Sequence, residues 1–200
     1  GVVDGGGDGV RGGGAARMFG AGCNVNILNR QKGLSPQTGG QASKANPRGA
    51  SAKFAATGKS TAKKDVGASA QVYGDVYVAQ VAIGANEQQA VRAMLEAQAH
   101  EGVSVVIAYS TCIAHGIEMS TSMTHQKAAV ASGYWPLYRF RPSEDNEAHP
   151  FKLDSKKPAV PLRDFALAET RSSMLARSDA ELSDHLLPLG QPDAHGRCRV

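Results

Sequence analysis

Three places in this chain combine residue types at spacings that could do chemistry. Residues 38–67, TGGQASKANPRGASAKFAATGKSTAKKDVG, open on paired glycines and carry five lysines and one arginine with almost no long aliphatic side chains. Such a stretch is poor core material. It suits a backbone-rich, cationic loop that closes over a phosphorylated or acidic ligand. A solvated basic loop is the plainer reading of the same composition. Within it, Gly58-Lys59-Ser60 looks like the end of a P-loop, but the motif needs glycine where Lys53 stands, so nucleotide-triphosphatase chemistry is set aside. Residues 1–14 hold eight glycines, and Gly7-Asp8-Gly9-Val10-Arg11-Gly12 matches GxGxxG. A dinucleotide site needs a hydrophobic strand before that motif and an acidic residue about 20 positions later. Only Val2 and Val3 precede it and no Asp or Glu lies between Asp8 and Asp65, so this reading is set aside too. Finally, Cys112 and His115 follow the most apolar segment of the chain. A lone cysteine after a strand is commonly a small buried hydrophobe, while a thiolate is also the usual iron–sulfur ligand.

The elements that must position these residues read as alternating strands and helices. Val25, Ile27 and Leu28 suit a strand, whereas Asn29, Arg30, Gln31, Lys32 and Gly33 do not. Residues 50–62 are alanine-rich and read as helical. Residues 76–83 form a short apolar strand, and Asn86 then caps a helix with Glu87 in its first turn. Ala90, Val91, Met94, Leu95 and Gln98 follow a 3.6-residue period, which predicts that this face packs on the sheet with Met94 and Leu95 in the core. Gly102 should end that helix. Residues 103–109, VSVVIAY, are short and apolar enough for a buried parallel strand. Strand, helix, strand makes a right-handed βαβ unit, whose chemistry belongs at the C-terminal strand ends. Residues 119–132 read as a helix. The aromatic cluster at 133–140 contains Pro136 and lacks a basic groove, so packing is favoured over nucleic-acid stacking. An amphipathic helix over 169–179 offers Met174 and Leu175 to the core.

Two hundred residues suffice for a full-sized domain that buries roughly 70% of its unfolded surface. A net charge of +4 is too mild to imply nucleic acid. Three widely spaced cysteines without CxxC argue against a disulfide framework and for a reducing, cytoplasmic setting. No apolar run approaches the roughly 20 residues of a membrane span, and no signal peptide is visible. The absent initiator methionine suggests a start inside a longer chain, and the ending GRCRV looks truncated.

TGGQASKA followed by AKFAATGKSTAKKD, together with SGYWPLYR, FKLDSKKP and ETRSSMLARSD, resembles the C-terminal thiamine-diphosphate domain of pyruvate:ferredoxin (flavodoxin) oxidoreductase. Ser110-Thr111-Cys112-Ile113-Ala114-His115-Gly116-Ile117 is similar to that family's PCIxHGI segment. The resemblance implies an α/β fold with a mostly parallel sheet, helices on both faces and an extended C-terminal arm. Residues 1–140 would form the cofactor-binding domain and residues 141–200 the arm, packed on it or on a partner subunit. Implied cofactors are thiamine diphosphate, Mg²⁺ and a [4Fe-4S] cluster that takes one ligand, Cys112, from this chain, while His115 would orient the cysteine loop by hydrogen bonding. An Asp in a Gly-Asp-Gly turn at a strand end would hold Mg²⁺, a hard cation that needs oxygen ligands. Asp4 fits by spacing and Asp8 is the alternative. Val3, Asp4, Gly5, Gly6 and Thr38 would then lie at the cofactor.

Where the family's next strand ends in DTEVYSNT, the matching positions here are Lys32, Leu34 and Gln37. The Leu34 carbonyl can complete the metal site. Gln37 can partly take the place of the family's Asn facing cofactor and substrate, and is the catalytic candidate. Lys32 lines the cofactor but would repel Mg²⁺ rather than bind it. The implied activity is oxidative decarboxylation of pyruvate with coenzyme A, electrons passing to ferredoxin or flavodoxin. The remaining domains of the full-length enzyme, which would be a homodimer, lie outside this chain, which should be inactive alone. The departures at residues 6–37 keep open a non-catalytic relic or interaction fragment of the same fold.

Overall fold

The computed structural model describes residues 2–3, 24–31, 44–51, 57–112, 116–142 and 149–196. In these residues six strands form one sheet: β1 (Val2–Val3), β2 (Val25–Gln31), β3 (Tyr77–Val81), β4 (Val103–Tyr109), β5 (Tyr138–Phe140) and β6 (Phe151–Leu153). Their order is β1-β2-β4-β3-β5-β6. The first four are parallel, and β5 and β6 are added antiparallel on the β3 side. The helices are α1 (Val66–Gln71), α2 (Glu87–Ala99), α3 (Ser122–Ala131), α4 (Leu162–Leu167), α5 (Thr170–Ser178) and α6 (Ala180–Gly196). A 3₁₀ turn, Met119–Thr121, leads into α3. No helix among the described residues is long and apolar enough to cross a membrane.

Strand β4 is the centre. Its β-branched residues suit a pleated surface covered on both sides, and its first five residues are all buried. Val105 and Ile107 point to one face, joined there by Ile27, Val78, Trp135, Leu137 and Phe165. Val106 points to the other, with Tyr77, Ala79, Val81 and the alanines of α2.

Helix α2 begins as its sequence predicts: the Asn86 side chain accepts from the Gln89 amide at 3.0 Å. It ends earlier, at Ala99, with His100 as the capping residue. The buried face also differs from the expected one. Ala90, Ala93 and Ala97 lie on the sheet, while Val91, Met94 and Leu95 are 59%, 39% and 62% exposed. The helix carries two overlapping apolar stripes, and periodicity alone cannot choose between them. Polar anchors make the choice. The Gln89 side chain donates from Nε2 to the Gln80 carbonyl and to Asp154, and Glu96 accepts from Tyr77 and Arg139. These bonds fix the helix rotation with its small residues inward.

Strand β2 also exceeds its expectation. Asn29, Arg30 and Gln31 are strand residues, because β4 pairs with β2 along all seven positions and β1 lies on its other side. A ladder on both sides satisfies the backbone whatever the side chains prefer. Residues 50–51 and 57–62 are irregular rather than helical. The short helix in this region is α1, where the Asp65 carboxylate accepts from the Ala68 amide at 2.9 Å.

The aromatic segment packs, as the sequence suggests. The Trp135 indole donates to the Val81 carbonyl at 3.0 Å, and Gln80 donates to the Pro136 carbonyl at 2.8 Å. Arg139 is buried with a bidentate pair to Asp154 at 2.8 and 2.9 Å and a 2.5 Å contact to Glu96. Beyond β6, α4 gives Leu162 and Phe165 to the main core. In α5, Leu175 is buried, but Met174 is 55% exposed and is not a core residue. Met174 and Leu175 are adjacent, so they point about 100° apart around the helix.

Candidate functional site

The parallel strands end nearly level. Val3 lies opposite Asn29, Gln31 opposite Tyr109, and Val81 opposite Ala108. The Ser110 amide continues the ladder by donating to the Gln31 carbonyl at 3.0 Å. One sheet edge therefore carries Val3, Gln31 and the segment Ser110-Thr111-Cys112, on the three adjacent strands β1, β2 and β4. In open α/β sheets this is the edge where ligands bind.

Cys112 is a free, partly exposed thiol at that edge. Its approach is anchored by Thr111, which is buried and shares a 2.7 Å hydroxyl contact with Ser122 at the start of α3. The return of the loop is equally constrained. Gly116 has φ +70°, and a Cβ there would collide with the Thr170 side chain at the start of α5. Only glycine combines that backbone with that closeness. No cluster of three or more His, Cys, Asp or Glu side chains fit for a metal occurs among the described residues.

The described parts of the basic stretch, residues 44–51 and 57–67, are held by internal bonds rather than left as a solvated loop. Lys59 donates from its ammonium to the carbonyls of Asn46, Ala62 and Lys44 at 2.9, 3.0 and 3.3 Å. The Gly49 amide donates to the Lys59 carbonyl at 2.9 Å, and the Ser51 amide to the Arg171 carbonyl at 2.9 Å, tying the loop to α5. Lys63 lies 4.6 Å from the Trp135 ring centroid, a cation–π contact. Among the described residues, Lys59 and Lys63 thus have internal partners, which is how a segment poor in aliphatic residues acquires a fixed shape. Between this loop and α4–α6 lies a cavity of about 120 Å³, lined in part by Lys63, Tyr134, Phe165 and Glu169.

Behind the cysteine loop is a buried polar cluster that spacing did not reveal. Glu169 accepts from Arg171, and its other oxygen lies 3.0 Å from His125 Nε2. Burial is the largest influence on Arg171 and would lower its pKa, but the Glu169 charge outweighs it and the net direction is upward. Burial, reinforced by Glu169, pushes the Tyr109 phenol well above its ordinary value. Tyr109 also stands edge-on to Trp135, with ring centroids 5.1 Å apart. The last residue of β4 is thereby held by α3, α5 and the aromatic segment together. The one sequence signal for this cluster was Glu169-Thr170-Arg171 within the family-like tail.

Of the residues singled out in the sequence, Val3 and Cys112 are placed by the structure, on the same edge. Asp4, Gly5, Gly6, Asp8, Lys32, Leu34, Gln37, Thr38 and His115 lie outside the described residues.

No family model matches the chain. Among curated proteins it is 47% identical, over 94% of its length, to a pyruvate-flavodoxin oxidoreductase of Trichormus variabilis. It is 46% identical over 92% to one of Klebsiella pneumoniae, and 45% over 92% to a pyruvate:ferredoxin oxidoreductase of Moorella thermoacetica. The chain spans 16% of the length of each of these relatives and so resembles one segment of such an enzyme. Among solved structures, a chain of the 2-oxoglutarate:ferredoxin oxidoreductase from Magnetococcus marinus, with 2-oxoglutarate, coenzyme A and succinyl-CoA bound, matches with a TM-score of 0.51 at 20% identity. That match covers 84% of this chain and 60% of the other, and it supports the α/β fold.

Proposed function

We propose that this chain is one part of a pyruvate oxidoreductase that converts pyruvate and coenzyme A to acetyl-CoA and CO₂, passing two electrons to ferredoxin or flavodoxin. The observation that carries this reading is the 45–47% identity, over 92–94% of this chain, to one segment of enzymes of that name. The geometry agrees with it, because Val3 and Cys112, far apart in sequence, end on one sheet edge.

Thiamine diphosphate, when bound, supplies the carbanion chemistry of 2-oxoacid decarboxylation. This chain's share is to hold the diphosphate end. Asp4 follows Val3, the last residue of β1, in the sequence; its carboxylate would hold Mg²⁺, with the Leu34 carbonyl as a second oxygen donor. Val3, Gly5, Gly6 and Thr38 would line the cofactor, and Gln37 would face the substrate. Lys32 would lie at the cofactor, where its charge would repel Mg²⁺ and attract the diphosphate. Cys112 suits a single thiolate ligand to a [4Fe-4S] cluster, with the other ligands supplied by a further domain. Its exposure and doubly anchored loop match that role better than that of a buried hydrophobe. The setting is cytoplasmic, and the assembled enzyme is a homodimer.

Calorimetric titration of the full-length protein with Mg²⁺ and thiamine diphosphate tests the metal assignment. Asp4→Ala should abolish binding while Asp8→Ala leaves it within a few-fold. The opposite result would move the metal to Asp8, and loss in neither would remove this role from the segment. The departures at Lys32 and Gln37 favour a second reading, the same fold without catalysis. Tight cofactor binding by the unmodified protein would exclude it.

A further inference from the structure

Three elements frame the segment that carries Cys112, and one buried carboxylate is bonded into or directly beside all three. Strand β4 leads into the segment, with Tyr109 as its last residue, three positions before the cysteine. Helix α3 holds the start of the segment, because Ser122, the first residue of that helix, shares the 2.7 Å hydroxyl contact with Thr111. Helix α5 holds the return. A Cβ on Gly116 would stand 2.6 Å from the Cβ of Thr170, the first residue of that helix.

Glu169 is the residue before Thr170 and is 2% exposed. One of its oxygens lies 3.0 Å from Nε2 of His125, which is about one turn along α3 from Ser122. The other oxygen accepts from Arg171, also buried, on the far side of Thr170. The Tyr109 phenol hydrogen-bonds to the same carboxylate. The His125 ring is stacked on Tyr109 with centroids 6.2 Å apart, and it meets Phe165 of α4 at 4.9 Å. The end of β4, the first turns of α3 and the start of α5 are therefore joined at a single side chain.

Stability does not demand this arrangement. A buried ion pair is often replaceable by apolar side chains of the same volume without loss. What the carboxylate adds is direction. Hydrogen bonds of fixed length and angle lock the strand end and the two helices in one register, where apolar contact would let them slide. A thiolate that has to meet a metal centre completed by another domain needs its loop fixed in that way.

We infer that Glu169 is a positioning residue for Cys112: through Tyr109, His125 and Thr170 it sets where the thiolate is presented to the [4Fe-4S] cluster. This rests on the reading of Cys112 as a ligand of that cluster. Glu169 is buried behind the loop and acts through it.

The test is made on the full-length protein, reading the electron paramagnetic resonance of the reduced clusters, the bound iron, and the rate of iron loss to a chelator. Cys112→Ala first checks the underlying reading: it should remove one cluster's signal and iron, and unchanged signal and iron would overturn that reading and the inference with it. Glu169→Gln and Tyr109→Phe should keep the cluster, shift its g-values and speed its loss to the chelator by about ten-fold, the low end of what orienting partners of metal ligands contribute. Any other cluster signal should stay as it was. Arg139→Leu, which disrupts a buried ion pair on β5 away from the loop, should leave both the g-values and the rate unchanged. Should Glu169→Gln not fold, Tyr109→Phe decides alone, since it removes a single hydroxyl. Cluster loss in Cys112→Ala, with native g-values and release rate in the folded Glu169 and Tyr109 variants, would overturn the positioning role alone. An equal change in Arg139→Leu would overturn it too, by assigning the effect to general loosening of the fold.

Discussion

Strands β2 and β4 lie side by side over seven paired residues and are made of different material. VSVVIAY has Ser104 as its one polar residue before Tyr109, whereas VNILNRQ has four polar residues in seven. The contrast is sharpest where Asn29 faces Ile107: the isoleucine is buried in the main core, and the side-chain oxygen Oδ1 of Asn29 is buried with no hydrogen-bond partner among the described residues. Both strands have the same geometry because β4 imposes it. One is formed by its own side chains, the other by its neighbours' backbone. A strand whose composition contributes little stability, ending at a ligand edge, is what a binding site requires of its scaffold.

Substitutions can break this contrast. The largest effect should come on the β4 side, from Arg139→Leu. It leaves Asp154 and Glu96 without their buried cation and should cost about 3–5 kcal/mol in urea unfolding. Ile107→Ala follows at about 2–5 kcal/mol. Its paired position should behave in the opposite way. Asn29→Val removes an unsatisfied buried oxygen and should leave stability within about 1 kcal/mol or raise it. Equal losses at the two positions would end the distinction between the strands.

A smaller effect concerns pH. Burial would raise the Asp154 pKa, but hydrogen bonds from Arg139 and Gln89 outweigh it and hold the carboxyl below its usual range. Its folded pKa thus lies under its unfolded value of about 3.9, so the stability it contributes is present above that pH and is lost as the pH falls through the folded pKa. Acid unfolding of Asp154→Asn should be shallower below about pH 4 than that of the unmodified protein. The smallest expected change is Asn86→Ala, which removes one cap from α2 and should cost about 1 kcal/mol in thermal unfolding.

Much of the β3–α2–β4 unit was legible, because an N-cap, an apolar run and a glycine before β4 are local signals. The rotation of α2 was not, since the bonds that fix it come from β3, β5 and the residue after β6, distant in sequence. The polar end of β2 was unreadable for the same reason. The Glu169–Arg171–His125 cluster joins α3 to the start of α5 across more than forty residues, and no spacing rule reaches that far. For the site, the sequence brought Cys112 to a strand end, and the sheet order showed that β1 ends at the same edge with β2 between them.

The central claim is that this chain is an incomplete part of a pyruvate oxidoreductase. It is tested most directly by pyruvate- and coenzyme A-dependent reduction of a viologen dye, measured for the full-length protein that carries this sequence and for the 200-residue chain alone. The account predicts turnover from the first and none from the second. Robust turnover by the chain alone, or none by the full-length protein loaded with its cofactors, would contradict it.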